Sequence, residues 1–295
     1  MNIKNSELIL NADGSIYHLH LQPEQIASTI ITVGDPDRVG KVSKFFDRIE
    51  HKVHKREFFT HTGFIGQKRI TVISTGIGTD NIDIVLNELD ALVNVDFNNR
   101  IAKAQHQQLN IIRIGTSGTM RAEIPVDSFL VSHYGIGMDG LLNYYDRKLN
   151  SGEEALNELV AQTLSEKIAA IGIRPTVAAA SPELISLFSN MAWHKGITVT
   201  ATGFYAPQNR TIRANSAVSG IFELFDAVEF EGLKVTNLEM ETAGIFGLAN
   251  ILGHNAVSLN AILANRRNGS FSNNPEKIVD DLIKKSLEII VNSPL

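Results

Sequence analysis

Arg113 opens the run Arg113-Ile114-Gly115-Thr116-Ser117-Gly118, directly after the apolar residues Leu109, Ile111 and Ile112. The apolar residues read as a buried strand and the small ones as a turn at its end. An arginine at a strand end, a Thr hydroxyl and the N–H groups of a Gly/Ser/Thr turn can all donate to one small oxyanion such as phosphate. A strand ending in a loop, with Arg113 in a structural ion pair, fits the same residues. Gly34-Asp35-Pro36-Asp37-Arg38 repeats the chemistry where a second apolar strand gives way to a helix opened by proline. Glycine lets the backbone approach a ligand, the helix N-terminus favours an anion, and Arg38 adds a fork of donors. A plain strand–turn–helix with surface charges also fits.

Three further segments carry polar chemistry. Glu239-Met240-Glu241 stands at the start of a helix pattern; a carboxylate there can accept from two vicinal hydroxyls, as in a ribose, and Glu241 stays ionised near a helix N-terminus. A capping carboxylate beside a solvated one is the alternative. Phe204-Tyr205-Ala206-Pro207-Gln208-Asn209-Arg210 joins an aromatic face, an amide and a guanidinium. That set suits the carbonyl and N–H groups of a uracil ring, although an ordinary loop with one buried Phe would read the same. Ala264-Asn265-Arg266-Arg267 closes a strand, where a guanidinium can face a ligand in the crevice at the strand's C-terminal end. Gly76-Ile77-Gly78 follows another strand, but Asn81 stands where a dinucleotide fingerprint needs its third glycine. Among nine histidines, His18 and His20 alternate and His51 and His54 lie close, yet there is no HExxH and no cysteine to make a zinc site.

The elements that must position these groups alternate along the chain. Strand patterns fall at residues 28–33, 69–74, 128–132, 175–180, 197–201 and 256–263, with another ending at Arg113. Between them run helix patterns: Val39, Val42, Phe45 and Phe46; Ile82, Val85, Leu86, Leu89 and Val93, with Asp80 as its N-cap; and Leu156 through Ile168. Residues 241–252 form a helix closed by Gly253, and Asn274-Pro275 caps the last one. Residues 94–108 are polar and read as a surface extension or loop. This alternation predicts an α/β protein: a single domain over residues 1–295, with a central mixed, largely parallel twisted sheet flanked by helices. The net charge of −5 leaves no basic footprint for nucleic acid. With no cysteine, disulfide and thiolate chemistry are excluded. The first ten residues lack a signal-peptide core, and no apolar run approaches the roughly 18–20 residues that cross a bilayer. The expectation is a cytoplasmic protein without membrane partners.

Taken in order, these segments resemble the nucleoside phosphorylase-I family. GDPDRV at Gly34, KREF at Lys55, STGIG at Ser74, RIGTSG at Arg113, FYAPQNR at Phe204, NLEMET at Asn237 and ANR at Ala264 carry the resemblance, which runs from about Tyr17 to the last helix. It implies phosphorolysis of a pyrimidine nucleoside: uridine and inorganic phosphate give uracil and ribose 1-phosphate. By this resemblance Gly34, Arg38, Arg113 and Thr116 hold phosphate, completed by Arg56 from a neighbouring subunit. Ribose meets Met240 and Glu241, with His18 entering from the partner. Uracil meets Phe204, Gln208, Arg210 and the Gly118 backbone, and Arg266 with Gln208 and Arg210 stabilises the leaving base. A homodimer at least is implied, with a homohexamer as the larger alternative. No cofactor is implied, phosphate being a co-substrate.

The chain departs from the family pattern after Gly78, where Asp80, Asn81 and Asp83 replace small or hydroxyl residues. Two acids beside an anion site would weaken it if they pointed inward. Asn81 also replaces a serine that in some relatives helps bind potassium at the dimer interface with Glu57 and the Ile77 carbonyl, so that ion is left open. Purine enzymes of the family place an aspartate after the last strand; here Arg266 follows Asn265, and no aspartate comes before Asp280. The competing readings are a purine nucleoside phosphorylase, a nucleosidase that uses water, and a nucleoside-binding protein without turnover.

Overall fold

The computed structural model describes residues 2–217 and 220–295. Its first half runs β1 Thr29–Val33, α1 Pro36–Ser43, β2 Arg48–Lys55, β3 Phe58–Ile65, β4 Lys68–Ser74, α2 Thr79–Asn94, β5 Val95–Asp96, β6 Ile101–Ala102, β7 Asn110–Thr119 and β8 Phe129–Gly137. The second half runs α3 Ser151–Thr163, α4 Ser165–Ile171, β9 Thr176–Ala179, α5 Pro182–Phe188, β10 His194–Thr200, α6 Ile221–Asp226, β11 Glu229–Phe230 and β12 Leu233–Glu239. It ends with α7 Thr242–Leu252, β13 Asn255–Asn265, β14 Ser270–Phe271 and α8 Pro275–Val291. Strands lie in the order β11-β12-β10-β8-β13-β7-β1-β4-β3-β2. A further pairing of β12 with β7 closes β12, β10, β8, β13 and β7 into a barrel. The sheet is mixed. Parallel ladders join β4, β1, β7 and β13 at the centre, and β8, β10 and β12 along the other arm. β8 runs antiparallel to β13, and β12 to β7.

Central strands are apolar on both faces, as covered parallel strands must be. In β13, Ala256, Val257, Leu259, Ala261 and Ile262 are all buried. Helices α1, α5 and α8 cover one side with Val39, Val42, Leu184, Leu282 and Ile283. Helices α2 and α7 cover another with Ile82, Val85, Leu86, Ile245 and Phe246. Burying each such side chain contributes about 1.5–3 kcal/mol, so these faces fix the helices on the sheet. Helix α7 is buried all round over its first eight residues, the signature of a central helix. It packs so tightly on β8 that a Cβ on Gly135 would lie 2.8 Å from the Ala243 Cα.

Several sequence expectations need correction. The small residues after Arg113 are not a turn: β7 continues to Thr119, with β13 on one side and β12 on the other. Here β13 pairs along one side of the segment, and β12 meets the other only at Gly118 and Thr119. The hairpin β2–β3 left no apolar signature in β2, because no β2 residue is fully buried. Helix α2 is capped by Gly78 (φ 99°), with Asp80 exposed in its first turn. Its Gly78 N–H is taken by Glu241 Oε1 at 2.8 Å. The pattern from Leu156 to Ile168 splits into α3 and α4 at Leu164 (φ −97°, ψ 4°), whose side chain is fully buried. Residues 94–108 carry the small hairpin β5–β6. No helix among the described residues is long and apolar enough to cross a membrane.

Candidate functional site

A cavity of about 640 Å³ is lined by the C-terminal parts of β7, β12 and β13, the turn after β1 and the loop after β10. Ten of the thirteen residues expected from sequence line it: Gly34, Arg38, Arg113, Thr116, Gly118, Phe204, Gln208, Arg210, Met240 and Glu241. They come from segments more than 200 residues apart. The topology brings them together because β1 lies parallel beside β7, and the last residues of β12 pair with the last residues of β7 across the barrel.

At the floor, Arg113 is buried between two carboxylates. Its Nη2 lies 2.6 Å from Glu241 Oε2 and 3.0 Å from Glu239 Oε2, and Nη1 donates to Asn260 Oδ1 at 3.1 Å. The sequence permits this because residue 115 is glycine: the guanidinium lies over it, and a Cβ there would sit 1.9 Å from Arg113 Nη1. Burial works against the charge on Arg113, but Glu239 and Glu241 outweigh it and hold its pKa above the ordinary value. Burial pushes the Glu239 carboxyl up while Arg113 pulls it down. Glu239 also accepts from Thr200 Oγ1 at 2.7 Å and from the backbone N–H groups of Glu241 and Thr242 at about 3.0 Å. Arg38 reaches in from α1, with Nη1 3.4 Å from the Ile114 carbonyl. Burial, and then the nearby Arg113, lower its pKa. Two cations held close together in a cavity are ready for an anion.

The opposite end is built by the loop after β10. Gln208 is only 2% exposed. Arg210 Nη1 donates to Gln208 Oε1 at 2.5 Å and to the Phe204 carbonyl at 2.8 Å, and its guanidinium lies 3.8 Å from the Phe204 ring centre. A guanidinium only donates, so this contact fixes the Gln208 amide with oxygen toward Arg210 and leaves its NH₂ for the cavity. Burial and the like charge of Arg266 hold Arg210 down to about 10. Arg266 does not line the cavity. It sits behind the loop, donating to the Gln208 and Asn209 carbonyls at 3.1 and 3.4 Å. Burial lowers its pKa as well. Its Cγ lies 3.5 Å from where a Gly118 Cβ would stand. Glu241, bound to Arg113, and Met240 line the same cavity.

His18 and Arg56 also lie outside the cavity. His18 Nδ1 meets Glu88 Oε1 at 2.6 Å. Arg56 is exposed at the β2–β3 hairpin (φ 54°), with its guanidinium 5.9 Å from the ring centre of Tyr17. The two residues expected to act across an interface thus share one surface region of their own chain. Neither Asp80 nor Asp83 lines the cavity. Asp83 instead accepts from the Tyr145 hydroxyl, and burial first, then this bond, pushes Tyr145 up to about 12. Asn81, Glu57 and Ile77 do line it, with Asn81 Nδ2 3.4 Å from the Ile77 carbonyl. In this chain the carbonyl expected to hold potassium faces the Asn81 amide. Sequence reading missed Asn260 and the part played by Glu239. The available signal was an asparagine inside the apolar β13.

The chain matches the family model described as the phosphorylase superfamily over residues 28–292. It is 28% identical over 281 residues to a uridine phosphorylase of Thermococcus kodakarensis, covering 94% of this chain and 87% of that relative. It is 25% identical over 290 residues to a purine nucleoside phosphorylase of Vibrio cholerae, covering 93% of this chain and 98% of the relative. Among solved structures, a Trypanosoma brucei nucleoside phosphorylase with uridine phosphorylase activity superposes with a TM-score of 0.86 at 28% identity, covering 97% of this chain and all of that one.

Proposed function

This chain belongs to the phosphorylase superfamily, and on that premise we propose that it cleaves uridine with inorganic phosphate, giving uracil and ribose 1-phosphate. The observation that carries the reading is the set of groups gathered in one cavity: two arginines with a carboxylate against them, and an aromatic face with an oriented amide. Arg38, Arg113 and Thr116, with the Gly34 backbone, hold phosphate. Glu241 and Met240 hold the ribose hydroxyls. Phe204 stacks on the base and Gln208 reads its edge. The glycosidic C–N bond breaks with its electron pair passing to the base, and a phosphate oxygen bonds to the anomeric carbon from the opposite face. In this reading Arg210 stabilises the departing base as it gains negative charge, Arg266 braces the Gln208–Asn209 loop from behind, and the chain's task is positioning and charge stabilisation.

Charge arithmetic supports a shared site. The floor sets two guanidiniums against two carboxylates that offset their charge, so a further cation strengthens the hold on an anion. In this reading Arg56, which is exposed and outside its own chain's cavity, serves the site of a second copy together with His18 in a homodimer. The relatives named for purines differ in the leaving group they act on, and an arginine here stands where a purine enzyme needs an acid. The test follows uridine and inosine by ultraviolet absorbance, each with and without phosphate. Phosphate-dependent loss of uridine, with inosine much slower, is expected. Faster cleavage of inosine would move the chain to the purine reading, and phosphate-independent cleavage would make it a nucleosidase.

A further inference from the structure

Each of the five barrel strands gives at least one polar side chain to a hydrogen-bonded ring inside the barrel. Arg113 on β7 donates from Nη1 to Asn260 Oδ1 on β13 at 3.1 Å. Asn260 Nδ2 donates to Ser132 Oγ on β8 at 3.3 Å. The Ser132 hydroxyl meets that of Thr198 on β10 at 2.6 Å, and Thr198 donates to Asn237 Oδ1 on β12 at 2.8 Å. Asn237 Nδ2 then returns to β7, donating to Ser117 Oγ at 2.9 Å. All six side chains are buried.

The ring has one direction. A guanidinium carries donors only, so the Asn260 atom facing it is the oxygen, and the amide nitrogen must face Ser132. Ser132 has a single proton and one other partner, Thr198, so it donates there. The Thr198 proton then goes to Asn237 Oδ1, and the Asn237 NH₂ is turned toward Ser117. Ser117 receives that bond with its oxygen, and its own proton has no acceptor among the described residues. Ser117 lines the cavity beside Gly118. The neighbouring Gly118 faces Arg266, which holds the Gln208 carbonyl of the loop after β10.

We propose that the Ser117 hydroxyl donates a hydrogen bond to a carbonyl oxygen of the pyrimidine base, and that the ring, read from Arg113 round to Asn237, positions that proton. The inference rests on the uridine reading above. As the glycosidic bond breaks, negative charge reaches the base oxygens, so a donor fixed beforehand in a buried setting gains strength in the transition state. Asn237 and Asn260 are positioning residues, acting on opposite ends: Asn237 on the base, Asn260 on the phosphate arginine.

Ser117→Ala removes the donor and Ser117→Thr keeps it. The alanine variant is expected to lower kcat/KM for uridine about 3- to 10-fold, the scale of one uncharged hydrogen bond. Its KM for phosphate stays unchanged, and uracil binding by calorimetry weakens by the same factor. The threonine variant recovers both. Asn237→Ala is expected to reproduce the uridine-side loss with phosphate KM held, whereas Asn260→Ala raises phosphate KM. Thermal melts of each variant confirm the fold. A Ser117→Ala enzyme that cleaves uridine and binds uracil like the wild type overturns the proposal. Parallel losses toward both substrates in Asn237→Ala overturn the positioning role of the ring. A wild-type chain that does not cleave uridine with phosphate overturns the proposed function, and this inference with it.

Discussion

Gly115→Ala tests the seat of Arg113 without touching a charged group. Gly115 is not among the residues with positive φ, so alanine suits its backbone. The new methyl, however, would stand 1.9 Å from Arg113 Nη1, 2.4 Å from Cζ and 2.7 Å from Nη2. Restoring an ordinary contact of 3.4 Å needs a displacement of about 1.5 Å. Contacts at 2.6, 3.0 and 3.1 Å to Glu241, Glu239 and Asn260 do not survive such a move together. Losing one charge-assisted bond costs about 1.5–3 kcal/mol, and a misplacement of about 1 Å at a reacting centre costs about 100-fold in rate. The variant should therefore show a phosphate KM raised, or kcat/KM lowered, by about 10- to 100-fold in an absorbance assay of uridine cleavage. Because the two changes act on one group, adding Gly115→Ala to Arg113→Ala should change little more. A folded Gly115→Ala enzyme with wild-type phosphate dependence would refute the claim that this guanidinium position matters.

Other expectations follow from the same geometry. Inactive Arg56→Ala chains mixed with inactive Arg113→Ala chains should regain activity once subunits exchange, because some mixed dimers contain one site with both arginines; exchange without recovery would show that each chain builds its site alone. Asp80→Ala and Asp83→Ala should leave phosphate KM unchanged, since neither side chain lines the cavity; a lowered KM in either would place that acid at the anion. Tyr134 and Tyr145 are both pushed up to about 12, chiefly by burial and then by bonds to Glu231 and Asp83. Between pH 10 and 12 the folded chain keeps these protons while the unfolded chain loses them, so stability should fall as pH rises. Tyr134→Phe with Tyr145→Phe should flatten that loss in melts taken across the range.

What sequence could disclose depended on whether burial left a pattern. Strand β1 and helix α2 were readable because Ile30, Ile31, Ile82, Val85, Leu86 and Leu89 are fully buried. Strand β2 was not, because its residues alternate only between exposed and half-buried. The extension of β7 was hidden for another reason. A narrow barrel needs small residues on its inner wall, and Gly115 and Ser117 there share their composition with a turn. The site was legible as separate motifs, each ambiguous alone, and their convergence came from the order of motifs rather than from any one. The carboxylate pair around Arg113 was out of reach, because it depends on β12 meeting β7 across the barrel.

That last pairing links the fold to the chemistry. A buried polar ring is favourable only when every member is satisfied; a single break leaves donors or acceptors stranded in a low-dielectric interior. Here the ring closes only where Asn237 on β12 meets Ser117 on β7, two strands paired at Leu238↔Gly118 and Asn237↔Thr119. The same closure brings Glu239 and Glu241 onto Arg113. An open sheet would separate these groups, leaving an uncompensated guanidinium and at least one unpaired asparagine. Barrel closure and orientation of the phosphate arginine are therefore one event, so a chain that folds this way arrives with its charged floor already arranged. Polar residues such as Asn260, Ser132 and Thr198 in otherwise apolar strands are the sequence trace of that coupling.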